Sequence, residues 1–301
     1  MVDDVRQALA SVVTVPVTPF DGLGQVDGPA YAALVARMVA AGVGAVTPNG
    51  NTGEFYSLSL AELDRVVALT VESAGGAAVI AGVGHDTATA VRLATEAARL
   101  GAHGVMVHQP VHPYQSQEGW AGYQRAVAEA VPGLGVVCYV RSPLITARAL
   151  RDLVSACPNV VGVKYAVPDP VRFAELAAEV PEVAWVCGLA ESWAPFYWPG
   201  GARGFTSGLA VIVPELSLDL LGRLRAGDLG GAMELWRLLK PIEDLRARHG
   251  NANNVSVLKE ALAQLGLCGR DVRPPISPLP DSERDEVTAV LRSLRLPVGA
   301  A

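Results

Sequence analysis

The run Val160-Val161-Gly162-Val163-Lys164 closes an unbroken apolar stretch on a lysine. An amine withdrawn from water must pair with a carboxylate or lose its proton, because desolvation penalises the ammonium form. The neutral amine is a nucleophile towards carbonyl carbon. Catalytic lysines are tuned for that work from about 10.4 to about 7–8. Lys164 is therefore a candidate nucleophile; the alternative is a structural lysine paired with a buried acid. Tyr139 stands near the end of another apolar run, 135–140, with Arg141 just beyond it. The phenol could relay a proton and the guanidinium could bind a second anionic group. The alternatives are a core aromatic and a surface charge. A third cluster is Asn49-Gly50-Asn51-Thr52-Gly53-Glu54. Its glycines let the backbone approach a ligand closely. Asn51 and Thr52, with the main-chain N–H groups through Gly53, offer donors suited to a carboxylate. A plain turn before a capped helix is the alternative there.

Other candidates carry less chemistry. His108 and His112 have the spacing of a helical metal pair, but Pro110 and Pro113 oppose a helix and no H-E-x-x-H is present. His85-Asp86 could cap the next helix or line the site, and Gly82-Val83-Gly84 is too short for a phosphate loop. No metal and no cofactor is expected.

The candidates need elements to position them. Eight short apolar runs, at 12–17, 45–48, 78–83, 104–108, 135–140, 160–164, 183–187 and 203–206, alternate with Ala- and Leu-rich helical patterns such as 61–73, 88–100, 120–131 and 171–180. Continuous apolar runs are the signature of parallel strands buried on both faces. Ser59 with Glu62 three residues on reads as a capping box, and Gly101 and Gly133 fall at helix stops. Eight strand–helix units in 301 residues predict an α/β fold, a (β/α)₈ TIM barrel. An open doubly wound sheet is the alternative, but no G-x-G-x-x-G follows the first run. Past Pro214 the pattern is helical, at 214–226, 228–247, 254–266 and 281–294. We read residues 1–226 as the barrel and 227–301 as a C-terminal helical extension of the same domain. Barrel chemistry sits at the C-terminal ends of strands, where all three clusters fall.

Half of the residues are hydrophobic, but Gly, Pro or a charge interrupts every apolar run before it reaches about 18 residues, so no membrane span is expected. The acidic start, Met1-Val2-Asp3-Asp4, is unlike a secretory leader, and a cytoplasmic location is expected. A net charge of −6 without a basic block argues against a nucleic-acid surface. The four cysteines are widely spaced, and Cys138 and Cys187 fall inside strand-like runs, so buried free thiols are expected.

Gly50-Asn51-Thr52-Gly53-Glu54, Tyr139 and Gly162-Val163-Lys164, in that order at strand ends, resemble the dihydrodipicolinate synthase / N-acetylneuraminate lyase family, over most of the chain from Thr18-Pro19-Phe20 to about Pro278. The resemblance implies a lyase in which Lys164 forms a Schiff base with a 2-oxo acid, Tyr139 shuttles the proton, and the Asn51-Thr52-Gly53 loop holds the carboxylate. It also implies a homo-oligomer, dimer or tetramer. Aligned on Ser116-Gln117-Glu118-Gly119, the tyrosine pair of the family's synthases is replaced by Val111 and His112. His112 is then a candidate substrate ligand, from its own or a neighbouring subunit, or a plain loop histidine. Synthases carry an arginine five residues past the strand tyrosine; here that position is Leu144, and Arg141 comes two past it. The Tyr-x-Arg run, the segment from Asn51 to Leu58, the run from Asn254 to Lys259 and Val272-Arg273-Pro274-Pro275 look more like the 5-dehydro-4-deoxyglucarate dehydratase branch. Tyr165-Ala166-Val167 departs from that branch, which has an acidic residue and then glycine after the lysine. The expected activity is dehydration of a 2-oxo sugar acid. The alternatives are a pyruvate-type aldolase, a 4-hydroxy-tetrahydrodipicolinate synthase-like condensation, and a protein that binds a 2-oxo acid without turning it over.

Overall fold

The computed structural model describes residues 2–298; residue 1 and residues 299–301, the outer ends of the expected barrel and extension, lie outside it. Eight parallel strands close into a barrel in sequence order, β1 to β8, with β1 paired to β8. They are β1 Val12–Thr14, β2 Ala45–Val46, β3 Ala78–Val83, β4 Gly104–Val107, β5 Gly135–Val140, β6 Val160–Tyr165, β7 Ala184–Cys187 and β8 Gly204–Ser207. The expected TIM barrel is thus the observed fold. The first two strands stop short of the expected runs, ahead of Pro16 and Pro48, neither of which has an N–H to give to a ladder.

A short helix, α1 (Val2–Ala8), precedes the barrel, and the barrel helices follow their strands: α2 Gly28–Ala40, α3 Leu60–Ser73, α4 Thr87–Arg99, α5 Gln117–Ala130, α6 Ala147–Ala156, α7 Pro170–Glu179, α8 Ala190–Tyr197 and α9 Pro214–Ala226. Each turns an apolar face inward. In α3 the buried set is Leu63, Val66, Val67 and Thr70, one stripe of a 3.6-residue repeat. Ser59 and Glu62 form the expected capping box at its start, and Asp86 caps α4 through the Thr89 N–H at 3.0 Å. All four cysteines are free, with Cys138 and Cys187 buried. The extension consists of α10 Leu229–Asn251, broken by non-helical backbone at Arg248–Gly250, then α11 Asn254–Gln264 and α12 Asp281–Ser293. No described helix is long and apolar enough to cross a membrane.

Two apolar layers result. Residues between the sheet and the helices form the larger core, and a smaller one fills the barrel itself: Val13, Ala45, Ile80, Met106, Val137, Val161, Ala184 and Val186. Val5 and Leu9, from α1 and the residue after it, join this inner cluster, so the N-terminal segment plugs one end of the barrel. Sequence periodicity did not reveal that plug.

One irregularity in β6 decides where Lys164 points. Val136 pairs with Val160, but Val137 pairs with Gly162, so Val161 is an extra residue in a bulge. Val161 packs in the barrel interior, and a Cβ on Gly162 would also point inward, 2.4 Å from Leu9 Cδ1. Strict alternation from Val160 would send Val163 inward and Lys164 out among the helices. The bulge shifts the phase by one residue: Val163 lies in the outer core and Lys164 faces the interior beside Tyr139, its register partner on β5. Bulges re-aim side chains in this way beside functional sites.

The plug lies at the end of the barrel away from the three candidate clusters. Replacing the fully buried Leu9 by alanine is therefore expected to cost about 2–5 kcal/mol of stability, read as a lower urea midpoint, while the turnover of the folded protein stays within about twofold because barrel chemistry sits at the opposite face.

Candidate active site

The C-terminal ends of β2, β5, β6, β7 and β8, together with the broken end of α10, enclose a cavity of about 230 Å³. Lys164, Tyr139, Arg141, Asn51 and Thr52 all line it. Five residues from three separate stretches of sequence are thereby brought to one space.

Lys164 is 6% exposed, and its Nζ lies over the Tyr139 ring, 4.0 Å from the centroid. No carboxylate of a described residue ion-pairs with it. Burial pulls its pKa down to about 7, and the nearby Arg141 charge pulls in the same direction. Much of the amine is therefore free near neutrality. The close approach of the β7 end makes room for it: a Cβ on Gly188 would lie 3.0 Å from Lys164 Cγ and 2.9 Å from the Tyr165 carbonyl oxygen.

Tyr139 is buried, and burial raises its phenol above the ordinary range, against the Arg141 charge and the Asn51 amide beside it. It is a neutral O–H that can give or accept a proton at the amine. Behind it stands His108, 5.9 Å between ring centroids, with Nε2 hydrogen-bonded to the Asn49 carbonyl at 2.8 Å and the ring stacked on Phe55. Burial lowers the His108 pKa to about 3, so the ring is neutral and acts as packing.

Asn51 and Thr52 open a short 3-10 turn, Asn51–Gly53, after β2. The buried Asn51 Oδ1 has no hydrogen-bond partner, and no described residue accepts from the Asn51 or Thr52 main-chain N–H. Unmet buried polar atoms on a cavity wall call for a partner from outside the chain, a water or a ligand. Arg141 gives its main-chain N–H to Gln109 Oε1 at 3.3 Å, and no described carboxylate pairs with its guanidinium. It is an uncompensated cation on the cavity wall.

Two expected ligands stand apart from this group. Gly53 does not line the cavity; its N–H goes to the Gly50 carbonyl at 2.9 Å and its own carbonyl accepts the Thr18 hydroxyl at 2.8 Å. Its backbone holds the loop instead of offering a free donor. His112 is exposed on the loop after β4, outside the cavity, where its Nδ1 contacts the Tyr114 main chain. Pro110 and Pro113 flank it in a segment without regular structure.

The far wall was not foreseen. It comes from the extension: Glu243, Arg246, Asn251 and Asn254, with Ser192 and Trp193 from α8. Arg246 pairs with Glu243, both nearly inaccessible to solvent, and donates to Asn254 Oδ1 at 2.9 Å. Close by, the fully buried Glu191 accepts the Ser207 and Ser217 hydroxyls, and burial, helped by Glu243, raises its pKa to about 7. This wall is polar but internally compensated, so it suits hydroxyl groups better than a second carboxylate. The signal in the sequence was the polar string His249-Gly250-Asn251-Ala252-Asn253-Asn254, which interrupts a helical pattern. Among the described residues no three His, Cys, Asp or Glu side chains are grouped to hold a metal ion.

Comparison with known proteins adds the lineage. A family model described as the dihydrodipicolinate synthetase family matches residues 8–294. The chain is 35% identical to a probable 5-dehydro-4-deoxyglucarate dehydratase of Saccharopolyspora erythraea, covering 97% of this chain and 96% of the relative. It is also 35% identical to a 4-hydroxy-tetrahydrodipicolinate synthase of Phenylobacterium zucineum, covering 93% and 95%. The crystal structure of dihydrodipicolinate synthase from Bacillus clausii superposes with a TM-score of 0.93 at 39% identity, covering 97% of this chain and 100% of that one. The chain therefore belongs to the dihydrodipicolinate synthetase family, whose members are Schiff-base-forming lyases.

Proposed function

We propose that Lys164 is the Schiff-base nucleophile of a lyase that dehydrates a 2-oxo sugar acid, in the manner of a 5-dehydro-4-deoxyglucarate dehydratase. The observation that carries this reading is a buried, unpaired amine facing a neutral phenol, with the main-chain N–H groups of Asn51 and Thr52 on one side and a free guanidinium on the other. The neutral Nζ adds to the C2 ketone; the carbinolamine loses water and leaves an iminium. That cation withdraws electrons from C3, so a C3 proton passes to a base and an enamine forms. Return of the enamine electron pair expels the C4 hydroxyl, which leaves as water once protonated. The Tyr139 phenol moves these protons, a role supported by its ring lying against the amine. The Asn51 and Thr52 donors fix the C1 carboxylate, and preorganised donors of this kind orient the reactant before chemistry. Arg141 takes a second carboxylate, and the compensated far wall takes the hydroxyls.

An aldolase or a synthase-like condensation shares the iminium and differs afterwards, by cleaving or forming the C3–C4 bond. Two features favour dehydration: an amide at position 51, and Arg141 in place of an arginine at position 144. Products decide between them, since water loss with the C3–C4 bond intact excludes aldol cleavage. Assembly as a homodimer or tetramer completes the proposal. His112 could serve a substrate only across such a contact, and its loop neighbours Val111 and Tyr114, with Leu144, are largely exposed.

The nucleophile must be unprotonated, so the rate of imine formation is expected to climb as pH rises through about 7 and then level off, well below the ordinary lysine range. Removing the neighbouring charge with Arg141→Leu should move that midpoint upward and weaken dicarboxylates relative to monocarboxylates; a midpoint near 10 in the native protein would contradict the burial argument. Tyr139→Phe is expected to lower kcat by about 10²–10⁴-fold, the usual worth of positioned acid–base catalysis, with little change in ligand affinity. A rise in KM alone would show that the phenol only binds.

A further inference from the structure

The loop that carries Asn51 and Thr52 is held from behind by the C-terminal extension. Glu54 follows the loop directly, in left-handed backbone (φ 61°) between two 3-10 turns. Its side chain is fully buried, and Oε1 pairs at 2.5 Å with the ammonium of Lys259 on α11, which is also fully buried. Oε2 accepts the main-chain N–H of Arg273 at 2.9 Å. Lys259 Nζ also donates to the Asp271 carbonyl at 2.6 Å and lies 4.0 Å from the Phe20 ring centroid. The Arg273 guanidinium lies 4.2 Å from the same ring, pairs with Glu62 at the start of α3, and donates to the Ser57 carbonyl at 3.1 Å. Residues more than 200 positions apart thus converge on the one acidic side chain of the loop.

A carboxylate in this position is stable only with its cation, because an unpaired buried charge must find water or neutralise. Either response would release Glu54 from a backbone conformation that side-chain-bearing residues adopt rarely. The donors two and three residues upstream would move with it.

We propose that Lys259 and Arg273 are positioning residues for carboxylate recognition, fixing Glu54 and through it the Asn51 and Thr52 donors. The inference rests on the reading that this loop binds the substrate carboxylate. It makes the extension a working part of the site: the helices beyond the barrel set how well the enzyme distinguishes a 2-oxo acid from a simple ketone.

The test compares pyruvate with hydroxyacetone, a ketone of similar size without the carboxylate. Dissociation constants for both are measured by calorimetry on the native protein and on Lys259→Met, which leaves the buried Glu54 carboxylate without its cation. Pyruvate is expected to bind about ten- to a hundredfold more weakly to the variant, the scale on which displacing a binding group by ~1 Å acts, while hydroxyacetone stays within about twofold. Arg273→Gln, at a partly exposed position, is expected to shift pyruvate the same way by a smaller factor, and serves if Lys259→Met does not fold. Unchanged pyruvate binding would overturn the proposal. So would an equal loss for both ligands, which would mark the pair as support for the barrel at large. A native protein that does not prefer pyruvate would overturn the loop's assignment and the positioning role with it. Borohydride trapping at Lys164 reports on the amine separately.

Discussion

The structure turns on an amine kept out of water without a carboxylate to pair with. Everything around Lys164 serves that condition. Strand burial removes solvent, Arg141 adds a repelling charge, and the Tyr139 ring lies against the amine. A single acidic side chain at hydrogen-bond distance would favour the ammonium, which cannot attack a carbonyl. The acids near the cavity are committed elsewhere: Glu243 to Arg246, Glu191 to two serine hydroxyls, and Glu54 to Lys259. Leaving a buried lysine neutral costs stability, a cost proteins bear at functional sites.

That condition explains the division of labour along the barrel axis. At one end the chain is spent on packing, with α1 and Leu9 filling the bore. At the other, strands end early on Pro16 and Pro48, a bulge turns Lys164 inward, and Gly188 leaves it space. The two lysines of the site region, Lys164 and Lys259, are both buried and meet opposite fates. Lys259 has its carboxylate, and Lys164 has none among the described residues, as the proposed nucleophile requires.

Local patterns carried much of this in the sequence. An apolar run ending in a polar residue is visible one residue at a time, which is why Lys164, Tyr139 and Arg141 stood out, and why Ser59 with Glu62 announced the start of α3. The barrel was legible because eight such runs alternate with helical periodicity. What escaped notice depends on partners far along the chain. The bulge at Val161 is defined only against β5, and the role of Glu54 only against α11. Nothing local distinguishes Glu54 from a solvated turn residue. The helical extension was foreseen as an appendage, but its contribution to the cavity wall was not, since the string 249–254 reads as an ordinary helix break. The loop bearing His112 shows the converse: resemblance suggested a ligand, and the side chain is exposed outside its own cavity.

The central claim is that Lys164 reacts as a free amine with the ketone of a 2-oxo acid. Reduction with borohydride in the presence of pyruvate and longer 2-oxo acids, followed by intact mass and peptide mapping, tests it directly. The account predicts one stable adduct per chain, located on the peptide that contains Lys164, with polyhydroxylated dicarboxylic 2-oxo acids trapped at the lowest concentrations. An adduct on another lysine, or folded protein that traps none of these acids, would contradict it.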